Sequence, residues 1–177
     1  MNARSRPHSL VAAATLAAAL AAPATAEPGP RQPVPFRASL SITETVAFTF
    51  APPCFAIGAL TGTGIASQLG SVRAVSTDCI NPIGMFDPNV PMSFHFASTG
   101  TGLVIHAKGE QIFASYSGTL QAQPSGPHAV SGHFVITGGT GRYAGAVGGG
   151  TLSGYEDISG VVVGRGAVQF NGTISFP

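Results

Sequence analysis

Three side chains in this sequence are placed to move protons in an apolar setting: Glu44, Glu110 and Tyr116. Glu44 stands on the parity of Leu40, Ile42, Val46 and Phe48, with Ser and Thr at most of the intervening positions. A strand turns alternate side chains to opposite faces, so this parity predicts a carboxyl set in an apolar wall. Burial there would raise its pKa and suit it to act as acid, base or ligand anchor. A bulge or a place at the rim would instead turn Glu44 to solvent. Glu110 and Tyr116 share a parity with Ile112 and Ala114. If Lys108-Gly109 is a tight turn, Ile105 pairs with Ile112; if Gly100-Thr101 is another, Phe96 pairs with Ile105 and His95 with His106. One face then gathers Met92, Phe94, Phe96, Leu103, Ile105, Ile112 and Tyr116, with Phe134 from a later run completing a candidate ligand-binding wall. His95 and His106 would lie side by side on the other face, facing solvent and lacking a third ligand, so no metal site is expected. No Ser-His-Asp or Cys-His set assembles with any specificity.

Alternation of this kind runs through most of the chain. Leu40 to Phe50 reads as a long half-buried strand, and so does the stretch from Val162 to Phe176, where Val168, Phe170, Ile174 and Phe176 share one parity. Between them, Ala56–Ala66, Leu69–Thr77, Met92–Ala97, Leu103–Ala107, Glu110–Leu120, Val130–Thr137 and Thr151–Asp157 are predicted strands separated by turn residues. Cys79 to Pro91, with three prolines, reads as a long loop. Glu156-Asp157 reads as an exposed pair beside a turn, and Arg165 lies on the polar parity of the last strand. No segment has a helical period. The predicted fold is all-β, a closed antiparallel barrel of about eight strands, since closure removes sheet edges.

The stretch Phe134-Val-Ile-Thr-Gly-Gly-Thr-Gly-Arg-Tyr-Ala-Gly-Ala-Val-Gly148 admits two readings. Gly139-x-Gly141-x-x-Ala144 fits a dinucleotide fingerprint, but that chemistry needs a helix next. The glycines that follow oppose one, at about 1 kcal/mol each against alanine. The alternative is a barrel corner, in which Gly138, Gly139, Gly141 and Gly145 allow tight turning. In this form the motif resembles the corner of the allene oxide cyclase and dirigent-like β-barrel families, including small exported bacterial proteins of allene-oxide-cyclase-like type. Gly62-Thr-Gly-Ile-Ala-Ser-Gln-Leu-Gly70 is similar to a second motif of that group. The resemblance implies a calycin-like, eight-stranded barrel with an apolar cavity, Tyr143 plugging one end, and a habit of homo-oligomers. It carries over no catalytic residue.

Bulk composition narrows the function. Only 8% of the 177 residues are charged. No basic patch suits nucleic acid, and no cofactor motif is present. Arg4 and Arg6, the apolar run Leu10–Ala22 and the A-x-A site Ala24-Thr25-Ala26 read as an export signal covering 1–26. Export would be to the periplasm or the cell exterior. The run is too short to span a membrane. A proline-rich leader over 27–35 then precedes a single domain over 36–177. In an exported chain Cys54 and Cys79 read as a disulfide. The function expected is binding of a small apolar ligand in the lumen. The alternatives are a cyclase or isomerase using a lumen carboxylate, and a structural or surface protein with a filled core. A cavity of about 300 Å³ or more would favour the first two.

Overall fold

The computed structural model describes residues 32–85, 89–158 and 162–176. Nine antiparallel strands follow one another: β1 (Val34–Ala51), β2 (Cys54–Ala66), β3 (Gly70–Ile83), β4 (Ser93–Ser98), β5 (Leu103–Ala107), β6 (Glu110–Gln121), β7 (His128–Gly139), β8 (Val147–Asp157) and β9 (Val163–Ser175). Apart from β4 and β5, each pairs with its neighbours in sequence, and β1 pairs with β9 from Val34↔Ile174 to Thr45↔Val163. The sheet therefore closes on itself as an up-and-down barrel, with no edge left to pair with another chain.

The nine strands fill eight places in the wall because β4 and β5 share one. Both run antiparallel to β3 on one side and β6 on the other. Ser98 and Val104 are six positions apart, where their partners Asp78 and Val75 are three apart. The Thr99–Gly102 segment is thus an excursion in one interrupted strand, not a hairpin turn. This corrects the expected pairing of Phe96 with Ile105: Phe96 faces Ile80 and Gly118. His95 and His106 are likewise apart, opposite Asn81 and Arg73 respectively. The extra residues also reverse the inward parity, from Phe94 and Phe96 to Leu103 and Ile105. The Lys108-Gly109 turn does form, with both residues at positive φ and Ile105 opposite Ile112.

Three other expectations change. β3 continues through Cys79 to Ile83, so the expected loop over 79–91 begins five residues later than the proline count suggested. Phe48 and Phe50 keep the parity of Leu40, but β1 outruns the barrel there, leaving them 38% and 73% exposed and stacked on each other at 5.4 Å. Val34 and Pro35 belong to β1 rather than to a leader. The expected export signal lies outside the described residues.

One end of the barrel holds the β2–β3, β5–β6 and β7–β8 connections. After β7 there is a single 3₁₀ turn, Gly141–Tyr143, where a nucleotide site would need a helix. Tyr143 is buried there, packed on Phe176 at 5.6 Å, and its hydroxyl donates to the Gln68 carbonyl at 3.3 Å. Phe36, Leu69, Ala146 and Ile174 fill the rest of that end. Toward the other end, Cys54 and Cys79 form a disulfide joining the start of β2 to β3, across a sequence separation of 25. Loop closure of that length is worth about 3.5 kcal/mol in the chain-entropy account. The Cys54→Ser/Cys79→Ser variant should lose about that much in urea denaturation; an unchanged midpoint would show that the bridge holds no part of the unfolded chain together.

Candidate functional site

The inward face of the barrel changes character along its axis. From the plugged end to mid-height it is packed with Leu40, Ile105, Ile112, Phe134 and Ile136, all buried. Beyond that, three carboxyls enter the lumen from separate strands: Glu44 from β1, Asp78 from β3 and Glu156 from β8, at 6%, 3% and 5% exposure. They line a cavity of about 50 Å³ whose other walls include Ile42, Leu60, Phe94, Phe96, Tyr116 and Phe170.

Parity and missing side chains put the acids there. Glu44 continues the inward row Phe36, Ala38, Leu40 and Ile42. Asp78 continues Val72, Ala74 and Ser76, and Glu156 continues Leu152 through Gly154. Gly164 sits directly opposite Glu44 in the sheet, and Gly58 lies on the neighbouring strand. A Cβ at Gly58 would overlap Glu44 Oε1, and one at Gly164 would overlap Glu156 Oε1. The two glycines thus leave the space the two carboxyls occupy.

The acids form two groups. Asp78 Oδ1 accepts hydrogen bonds from the Tyr116 hydroxyl at 2.5 Å and from the Ser76 hydroxyl at 3.0 Å. Burial pushes the Asp78 carboxyl above its ordinary range, and those two bonds oppose the push. Tyr116 is pushed up by burial and then by the Asp78 charge, so it stays a phenol. Glu44 and Glu156 make the second group, side by side in the lumen and acting on each other's charge. Burial, followed by the charges of Glu156 and Asp78, pushes Glu44 up to about 9. Burial raises Glu156 as well. Each of the two glutamates keeps its Oε1 buried with no hydrogen-bond partner.

The structure therefore brings together Glu44 and Tyr116 of the three candidate acid–base residues. Glu110 lies elsewhere, at the plugged end, half-buried, with its carboxylate 2.9 Å from the Arg142 Nε and accepting from the Arg142 amide. An ion pair at the rim is a clasp on the 3₁₀ turn, not part of the cavity. Of the proposed ligand wall, Phe94, Phe96 and Tyr116 line the cavity, whereas Ile105, Ile112 and Phe134 are packed into the core outside it. Glu156, expected to be exposed, is the largest correction: β8 runs straight through it, and the inward row from Leu152 reaches it two steps later. Asp78 went unnoticed because the strand appeared to stop at Thr77. Continuing either parity would have found both acids. Compared with protein-family models and with curated proteins, the chain matches none.

The arrangement can do two things chemically. It presents a carboxyl that burial keeps protonated, and two buried carboxyl oxygens without partners, inside an apolar chamber. It also does so in little space: about 50 Å³ admits a few water-sized groups, at about 10–15 Å³ each. Pockets for drug-sized ligands run to about 300–1,000 Å³. A guest of more than a few non-hydrogen atoms has to displace side chains, and Phe94 and Phe96 are the half-buried ones at hand.

Proposed function

We propose that the barrel binds a small, mostly apolar molecule whose one polar group meets the Glu44–Glu156 pair. The observation that carries this reading is the pair of unpartnered carboxyl oxygens, buried beside a cavity with apolar walls. Leaving a buried polar group unpaired costs about 1–3 kcal/mol, and a guest that pairs both recovers that cost on binding. The small volume sets the size of the guest, a handful of non-hydrogen atoms rather than a long lipid. Catalysis is the second reading, favoured by the proton that burial keeps on Glu44: Glu44 can hand a proton to a guest, and Glu156 beside it can take one. A barrel with a filled core and no guest is the reading these two must displace.

Export belongs to the same proposal, supported by the basic–apolar–small order of the first 26 residues and by the disulfide. The eight-place barrel and its glycine corner support kinship with the allene oxide cyclase and dirigent-like barrels. Shared architecture lends no reaction to this chain.

Native mass spectrometry of the full chain isolated from its own host should show a small non-covalent adduct, absent from the Glu44→Gln/Glu156→Gln variant. An adduct-free protein that also shows no Tyr116 chemical-shift change when titrated with n-butanol would leave the filled core standing.

A further inference from the structure

Three carboxyls share the lumen, and no cation accompanies them. All five Arg and Lys side chains among the described residues, Arg37, Arg73, Lys108, Arg142 and Arg165, are on the exposed surface. Four of them sit toward the plugged end, away from the carboxyls. A buried charge is ordinarily paired or neutralised. Among the carboxyls themselves, protonation is the means of neutralising. That leaves Glu44 Oε1 and Glu156 Oε1 without donors, although both residues are more than nine-tenths buried and line the cavity.

The missing partner can be described from its complement. It must bring positive charge, at least two hydrogen-bond donors, and a surface that suits aromatic walls. A hydroxyl has one donor and no charge, whereas an ammonium has up to three donors and a full charge. The Phe96 and Tyr116 rings line the same cavity with their centroids 6.0 Å apart. Aromatic faces attract ammonium groups within about 6 Å of the ring centroid, most strongly where water is excluded. A metal ion fits less well: among the described residues no three His, Cys, Asp or Glu side chains are grouped to hold one.

We propose that the guest's polar group is an organic ammonium, held between the carboxyls of Glu44 and Glu156, against the Phe96–Tyr116 aromatic wall, with its short apolar tail along Leu60, Ile80 and Phe94. This rests on the ligand-binding reading and gives it a chemical class: small aliphatic amines.

Three probes of equal chain length separate the outcomes: n-butylamine, n-butanol and n-butyrate, titrated into the full chain and followed by NMR. The amine should bind at least tenfold more tightly than the alcohol, and butyrate should not bind. In the single variants Glu44→Gln and Glu156→Gln, each an uncharged near-isostere, the amine's advantage over the alcohol should shrink to less than threefold while alcohol binding persists. Alcohol binding equal to or tighter than amine binding in the unmodified protein would overturn the ammonium assignment and leave the ligand-binding reading intact. Binding of none of the three would overturn both. The comparison among probes in the unmodified chain needs no variant to fold.

Discussion

Replacing Glu44 by glutamine is expected to stabilise the barrel at alkaline pH and to remove much of its dependence on pH. In the folded chain Glu44 holds its proton up to about 9, whereas the ordinary value is 4.5. Between those limits the folded state binds a proton that the unfolded state has released. Stability from this group is therefore fully present below about 4.5 and is lost as pH rises toward 9. Each pH unit in that window is worth about 1.4 kcal/mol, so the loss across it is on the order of 6 kcal/mol. Glutamine keeps the shape and can donate to Glu156, but has no charge to be denied. Urea unfolding of both proteins at acid, neutral and alkaline pH should give curves that meet in acid and separate by several kcal/mol in alkali. Asp78 and Glu156, both also raised by burial, leave the variant a shallower slope of the same sign. Parallel curves for the two proteins would mean that Glu44 is hydrated in solution and titrates normally.

The other large effect is expected at the opposite end. Tyr143→Ala removes a ring that is 2% exposed, packed on Phe176, and covered by the Arg142 guanidinium at 4.8 Å from the ring centroid. Truncating a buried aromatic costs about 3–5 kcal/mol where the surroundings cannot collapse. The corner is built of positive-φ glycines, Gly138, Gly141 and Gly145, which supply no side chains to refill the hole. Tyr143→Phe loses only the hydroxyl's bond to the Gln68 carbonyl, about 1 kcal/mol. Thermal unfolding should thus rank the unmodified protein above Tyr143→Phe, with Tyr143→Ala far below. If the two variants melted together, the hydroxyl and not the ring would be closing that end.

The barrel was legible in the sequence because its signal is repeated. Leu40 and Ile42 at one terminus and Val168, Phe170 and Ile174 at the other keep one parity each, and the structure pairs those two strands. Glu44 was legible for the same reason. Glu156 and Asp78 were not: Glu156 lies past the last strongly apolar inward residue of β8, and Asp78 lies past Thr77, where Gly154 and Ser76 carry the inward row without announcing it. The join between β4 and β5 was misread because Ser-Thr-Gly-Thr-Gly is good hairpin chemistry; only the partners on β3 and β6 show that the chain keeps its direction. Local composition cannot distinguish a reversal from an excursion when both need the same glycines at positive φ, as Gly100 and Gly102 are here.

That excursion makes the cylinder's wall locally extensible. Gly100 and Thr101 are exposed, and the strand resumes its course beyond them against the same two neighbours. Added residues between them would lengthen a solvent-facing tab without changing the order of the staves. An epitope or a fluorophore can therefore be carried on the solvent side of the wall, away from the plugged floor and beside the strand that carries Asp78.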